Sequence, residues 1–157
     1  MATEIERKFK VTSNDFKKLA TPLYCIQGYV NGESNTIIRI RIINNKGYLT
    51  LKGKNAGISR LEFEYEIPLK DANLLLTNFC SNKLVEKNRF IISYKNTLWE
   101  VDEFLGSNLG LVIAEVELKS ETQKISKPEW IGKEVSNQTK YYNSNLVNHP
   151  FISWSKN

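Results

Sequence analysis

The sequence predicts a mainly β protein of the α+β kind: eight antiparallel strands closed, or nearly closed, into a barrel with a few flanking helices. Three observations lead there. Apolar and polar residues alternate at period two over most of the chain. Turn signals rich in glycine and asparagine separate the alternating runs. The charges on those runs are sorted by sign, strand by strand, which an ordinary solvated sheet face does not require.

The candidate strands are residues 3–11, 23–31, 35–43, 47–54, 59–69, 84–95, 97–104 and 110–119. Asn31-Gly32, Asn44-Asn45-Lys46-Gly47 and Gly53-Lys54-Asn55-Ala56-Gly57 mark the earlier turns. Lys95-Asn96-Thr97 and Gly106-Ser107-Asn108-Leu109-Gly110 divide the later strands. Ser13 is placed to cap a short helix that ends before Pro22. Residues 70–80 put Ala72, Leu75, Leu76 and Phe79 on one side of a helix, with Asp71 near its N-terminus. From Ser126 to about Val147, Pro128 stands near a helix start, and the segment reads as two short helices. No repeat or linker interrupts the chain, so residues 1–157 read as one domain.

Composition removes several function classes. Of 157 residues, 41% are hydrophobic and 25% charged, the balance of a globular chain. No apolar run approaches the roughly 20 residues that span a bilayer, so no membrane partner is expected. Charges from the first residues onward predict no signal peptide and a cytoplasmic location. Cys25, Cys80 and His149 are too few for a zinc site of the usual kind. The cysteines read as reduced and structural, His149 as a surface residue, and the sequon at Asn137 as a chance match. A phosphate loop is absent, since neither a Walker A nor a GxGxxG pattern occurs. The net charge of +5 is modest and no nucleic-acid-binding motif accompanies it, so no nucleic-acid partner is expected.

Alternation then sorts the faces. Glu4, Glu6, Lys8 and Lys10 oppose Ile5, Phe9 and Val11; Arg39 and Arg41 oppose Ile38, Ile40 and Ile42. Thr50 and Lys52 oppose Leu49 and Leu51, and Glu62, Glu64 and Glu66 oppose Leu61, Phe63, Tyr65 and Ile67. Lys87 and Arg89 share a face, as do Glu100 and Asp102, and Glu115, Glu117 and Lys119. Residues i and i+2 of a strand lie about 7 Å apart. Like charges at that spacing repel by roughly 2 kcal/mol at an effective dielectric of about 20. Repetition of that cost on six strands calls for bound ions of opposite sign. Clustered carboxylates without His or Cys suit a hard cation such as Mg²⁺ or Mn²⁺, and clustered Arg and Lys suit phosphate. Turned inward, the charged faces would line a hydrated tunnel while the apolar faces point out to be covered by helices. With Lys10 left out, that inward set holds nine acids against seven bases, Lys8, Arg39, Arg41, Lys52, Lys87, Arg89 and Lys119.

Glu4-Ile5-Glu6-Arg7-Lys8-Phe9 resembles the ExExK signature of the CYTH, or triphosphate tunnel metalloenzyme, superfamily. The resemblance continues in order through Gln27-Gly28-Tyr29, Arg39-Ile40-Arg41, Leu49-Thr50-Leu51-Lys52 and Ser59-Arg60-Leu61-Glu62-Phe63-Glu64. Glu86-Lys87-Asn88-Arg89, Trp99-Glu100-Val101-Asp102, Glu115-Val116-Glu117 and the tail around Trp130 and Tyr141 extend it over nearly the whole chain. It implies an eight-stranded tunnel holding a triphosphate and one or two divalent metals, with the tail forming a plug helix near one mouth. By the same analogy Glu4, Glu6, Asp102, Glu115 and Glu117 would bind metal, and Lys8, Arg39, Arg41, Lys52, Lys87 and Arg89 would hold phosphates. Glu62 and Glu64 would serve a second metal or position the attacking water, which with Lys8 makes the implied catalytic set. The chain looks most like the short bacterial inorganic triphosphatases. The tail departs from the family pattern: Gln138-Thr139-Lys140-Tyr141 stands where Asp-x-Arg-Tyr is the rule, which leaves Lys140 without an assigned role.

Three activities compete: hydrolysis of inorganic triphosphate to pyrophosphate and phosphate; a class IV-like adenylate cyclase, thiamine triphosphatase or nucleoside triphosphatase; and a non-catalytic polyphosphate-binding module. The second would need aromatic residues such as Tyr24, Tyr29, Tyr48, Trp99, Trp130 or Tyr141 to stack on an organic group. The oligomeric expectation is a monomer or homodimer.

Overall fold

The computed structural model describes residues 2–32, 35–80 and 82–154. All eight expected strands form: β1 (Thr3–Val11), β2 (Leu23–Val30), β3 (Ile37–Ile43), β4 (Lys46–Lys52), β5 (Ser59–Ile67), β6 (Leu84–Tyr94), β7 (Thr97–Phe104) and β8 (Val112–Glu117). They run in the order β5-β4-β3-β2-β6-β7-β8-β1, and β1 pairs back onto β5 through Thr3–Leu61, Glu4–Arg60 and Ile5–Ser59. Every pairing is antiparallel, so the barrel is closed. Two hairpins turn as the sequence demands. Asn44 and Asn45 sit at φ 50° and 62°, and Lys95 and Asn96 at 44° and 61°, the left-handed pair that a two-residue hairpin loop needs to match strand twist.

The tail differs from its expectation. A ninth strand, β9 (Ile131–Glu134), replaces the helix expected after Pro128 and adds to the edge of β1, where Val11 pairs with Ile131 and Phe9 with Glu134. Pro128 leads a turn instead, with its carbonyl accepting from the Ile131 N–H. Thr12 N–H then donates to the Trp130 carbonyl, so the free edge of β1 captures the segment as sheet. Beyond it come a 3₁₀ turn, Thr139–Tyr141, one helical turn, Asn143–Leu146, and a second 3₁₀ turn, Phe151–Ser153. The short helix expected after Ser13 is also a 3₁₀ turn, Asp15–Lys18, with the Asp15 N–H on Ser13 Oγ at 3.3 Å.

Helix α1 (Leu69–Phe79) forms close to its expected place. It lays Ala72 and Leu76 against Ile40 on the outer face of the β2–β4 side. Phe79, expected on the buried side, is 63% exposed, because Cys80, four residues after Leu76, takes the inward position against Gly28. A second outer cluster gathers Phe9, Phe16, Phe90, Trp99, Val116 and Trp130 over β1, β6, β7 and β8. The outer face of β5 is another departure: Leu61, Phe63 and Tyr65 lie exposed with no described helix over them. Cys25 and Cys80 are free and buried, and His149 is exposed. No described helix is long and apolar enough to cross a membrane.

The third cluster lies inside the barrel. Lys87 pairs with Phe104, so both face inward; Val85 and Tyr29 share that face, and Ile113 joins them from β8. Leu111, Val135, Tyr141 and Leu146 pack on this group and fill one end of the interior with apolar side chains. Strand and helix approach closely at Gly28, where a Cβ would stand 2.6 Å from Cys80 Cβ and 2.9 Å from Leu76 Cδ2. Gly28→Val is therefore expected to lower stability by about 1–3 kcal/mol through overpacking, read as a fall in thermal midpoint.

Candidate active site

The charged faces turn inward, and the other end of the barrel encloses a cavity of about 220 Å³. Its wall carries seven acids, Glu4, Glu6, Glu62, Glu64, Glu100, Glu115 and Glu117, against seven bases, Lys8, Arg39, Arg41, Lys52, Arg60, Lys87 and Arg89. Three members of the expected inward set are not on this wall: Asp102, which is buried behind it, and two that are exposed. Glu66 is exposed beside Lys46, 3.8 Å away, and Lys119 is exposed past the end of β8. Arg60 comes in instead; period two puts it in step with Glu62, so the alternation already held that signal.

Lysines bridge acids across the strands. Lys8 Nζ stands 2.9 Å from Glu6 and 3.0 Å from Glu115; Lys52 Nζ stands 2.9 Å from Glu4 and 3.0 Å from Glu62. Arg39 Nη2 donates to Glu64 Oε2 and Thr50 Oγ1, both at 3.1 Å, and Thr50 Oγ1 donates to the same carboxylate at 2.9 Å. Arg41 differs: its Nε donates to the neutral Gln27 Oε1 at 3.0 Å.

Asp102 stands apart from the other expected metal-binding acids. Fully buried behind the cavity wall, it accepts from Arg89 Nε and Nη2, both at 2.8 Å, and meets Lys87 Nζ at 2.8 Å. Both its oxygens are thus committed to bases. Burial opposes its ionisation, but Arg89 and Lys87 outweigh that and hold its pKa below the usual carboxylate value.

Elsewhere the balance tips the other way. Register sets Glu6 opposite Glu117 and Glu100 opposite Glu115, two like-charged cross-strand pairs on one side of the cavity. Burial, then repulsion from Glu115, pushes the Glu6 carboxyl up to about 8. Burial also raises Glu117, helped by Glu4 and Glu6, and raises Glu100 despite the attraction of Arg89. On the basic side burial brings Lys87 down to about 8, with Arg89 and Arg41 adding to the effect and Asp102 resisting it. Arg41 is lowered by burial and by Arg39 and Arg89. The acids thus want positive charge and the bases negative charge.

The donor set fits a hard divalent cation, since every candidate ligand is a carboxylate oxygen and Glu6, Glu100 and Glu117 are disfavoured as carboxylates without one. Among the described residues, no three Asp, Glu, His or Cys side chains are already gathered around one point. Lys8 and Lys52 hold the acids in separate pairs.

The tail reaches this cavity too, through Tyr142, Asn143 and Ser144. Lys8 N–H donates to Ser136 Oγ at 3.0 Å and Lys8 Nζ lies 5.9 Å from the centre of the Tyr142 ring, which ties the tail to β1. Asn143 Oδ1 accepts from Lys87 Nζ at 2.8 Å and from Gln27 Nε2 at 3.3 Å, which ties it to β6 and β2. In the barrel order β1 and β2 are four strands apart either way round, so the tail crosses the full width of the barrel. Gln27, Tyr29, Tyr142 and Asn143 were not singled out as site residues by charge sorting because none carries charge. Lys140 stays outside, 4.8 Å from the centre of the Trp154 ring and 5.2 Å from that of Tyr141.

A closed antiparallel barrel whose interior carries opposed acidic and basic walls defines a protein that works inside its own sheet. This chain belongs to the CYTH domain family, whose profile matches residues 2–149. A relative from Acetivibrio thermocellus named "Inorganic triphosphatase" is 48% identical over 156 residues, covering 99% of this chain and 100% of the relative. One of the same name from Nitrosomonas europaea is 36% identical over 150 residues, covering 92% of this chain and 97% of the relative. A crystal structure described as an inorganic triphosphatase superposes with a TM-score of 0.67 at 30% identity, covering 94% of this chain and 95% of its own. A putative adenylate cyclase from Bacillus halodurans shares the fold at TM-score 0.61 and 21% identity, covering 77% of this chain and 84% of its own.

Removal of the Asp102 carboxylate would leave Lys87 and Arg89 buried without their shared counter-charge. Asp102→Ala is expected to cost about 3–5 kcal/mol in a denaturant titration, the usual penalty for one orphaned partner of a buried ion pair.

Proposed function

We propose that this protein hydrolyses inorganic triphosphate to pyrophosphate and phosphate with the help of a bound divalent cation, Mg²⁺ or Mn²⁺. The observation that carries the reading is the division of the cavity into an acid-rich wall (Glu6, Glu100, Glu115, Glu117) and a base-rich wall (Arg39, Arg41, Lys87, Arg89). A metal-bridged polyphosphate matches both walls at once. The triphosphatase relatives support the same reading.

Glu4, Glu6, Glu115 and Glu117 would hold the cation. Asp102 is left out of that set because its oxygens are already taken by Arg89 and Lys87. When bound, the cation would polarise phosphoryl oxygens and lower the pKa of a water. The chain's own groups do the rest. Arg39, Arg41, Lys87 and Arg89 line up the phosphates and stabilise charge on the transferring group and on the departing pyrophosphate. Lys8 and Lys52, each set between two carboxylates, can swing a charge towards the substrate. Glu62 is kept ionised: burial opposes this, but hydrogen bonding to Glu4 and the Lys52 charge outweigh it. With Glu64 it can orient a water in line with the scissile bond and accept its proton. The water oxygen bonds to the terminal phosphorus as the bridging P–O bond breaks, and the bond electrons leave on pyrophosphate.

Size argues against an organic substrate. The cavity, about 220 Å³, is smaller than the roughly 300–1,000 Å³ of sites that enclose drug-sized ligands. Of the aromatics weighed as base-stacking surfaces, Trp99, Trp130 and Tyr141 are buried in the cores, and only Tyr29 reaches the cavity wall.

Phosphate release should be measured on triphosphate, ATP and thiamine triphosphate, each with Mg²⁺, Mn²⁺ or EDTA. Triphosphate is expected to be preferred and EDTA to abolish turnover. A preference for ATP with cyclic AMP as product would displace this reading in favour of a cyclase. Tight triphosphate binding without turnover under either ion would favour a binding module. Glu6→Gln and Glu117→Gln are expected to abolish metal-dependent release while circular dichroism stays that of the wild type; full activity in both would remove these residues from the site.

A further inference from the structure

The tail does more than close the barrel. We infer that Asn143 is a substrate-binding residue, and that its side-chain amide N–H groups donate to the phosphate that lies deepest in the cavity. This rests on the triphosphatase reading above and adds to it the identity of a neutral donor at the closed end.

The argument begins with the amide's orientation. Asn143 Oδ1 accepts from two fixed donors, the Lys87 ammonium at 2.8 Å and Gln27 Nε2 at 3.3 Å. An ammonium has only protons to offer, so the oxygen must be the atom that faces it. Gln27 is fixed in turn, since its Nε2 also donates to Tyr29 Oη at 2.6 Å and its Oε1 accepts from Arg41 at 3.0 Å. The Asn143 amide therefore cannot flip without losing both contacts. Its Nδ2 is left with two N–H donors and no protein acceptor among the described residues, on a side chain that lines the cavity. It sits where the charged cavity meets the apolar seal of Phe104, Tyr141 and Leu146. Lys87, Arg41 and Asn143 thus offer donors from three directions at the inner end.

The chemical class follows. A site roofed by an amide and an ammonium and sealed behind by apolar side chains takes an unesterified phosphate; an ester substituent at that end would meet the seal. Linear polyphosphate with a free terminus satisfies this, and the organic end of any substrate would have to point to the open mouth.

Two variants separate a direct contact from a merely supporting one. Asn143→Asp keeps an acceptor for Lys87 and Gln27 but replaces the donor with an oxygen that repels phosphate. Asn143→Ala removes both. A direct contact predicts that KM for triphosphate rises about tenfold in Asn143→Ala, the loss of one hydrogen bond to a charged group, and further in Asn143→Asp, with kcat changed much less in Asn143→Ala. Calorimetric titration with triphosphate in EDTA should show the same order of affinities, wild type over Ala over Asp, without turnover. If Asn143 only supports Lys87, Asn143→Asp would bind as well as the wild type or better than Asn143→Ala, and the inference fails. Unchanged KM and affinity in both variants overturn it as well. A wild-type protein that neither binds nor hydrolyses triphosphate would overturn the underlying reading, and this inference with it.

Discussion

The desolvation of charge inside a closed sheet is the constraint on which the rest of this structure depends. Putting an acid or base behind eight strands costs several kcal/mol unless a partner of opposite sign is at hand. The protein meets that demand unevenly. Asp102, completely buried, is matched in full by Arg89 and Lys87, and this triad forms a fixed floor under the basic wall. Glu6, Glu117 and Glu100 are left short of positive charge, whereas burial opposes the ionisation of Glu115 but Lys8 and Arg89 outweigh it. Such a cavity is stable enough to fold and still electrostatically incomplete, and the incompleteness has the shape of a cation beside a polyanion.

Much of this could be read in the chain. Strand alternation alone put Glu4, Glu6, Lys8, Arg39, Arg41, Lys52, Lys87, Arg89, Glu115 and Glu117 on common faces, and the structure brings those faces together. Period two carries no depth, however. It could not tell Asp102 behind the wall from Glu100 on it, because both project from the same side of β7 and both meet Arg89; what sets Asp102 apart is its added contact with Lys87 and its full burial. It overextended the inward set at Glu66, where β5 runs past the enclosed region, and at Lys119, which lies beyond the end of β8.

The tail was the least legible part, for a different reason. Ile131 to Glu134 has no strong strand pattern of its own and becomes sheet because the outer edge of β1 offers it unpaired backbone groups. The turn that follows is anchored through uncharged side chains, Gln27 and Asn143, whose roles depend on neighbours brought from distant strands. Local composition cannot announce such contacts. The Lys140 substitution also finds its place here, since the side chain lies against Trp154 and Tyr141 on the outside and leaves the interior undisturbed.

The pairing of β1 has a consequence for how the molecule is made. This strand takes its partners from β5, β8 and β9, the last of them more than a hundred positions downstream. Until those arrive, its ladder has nothing to hold. Contacts so remote along the chain carry a heavy loop-closure cost and slow the search for the native state. The Glu6–Lys10 part of β1 is thus among the last stretches of the sheet to be locked, because its ladder waits for β8 and β9.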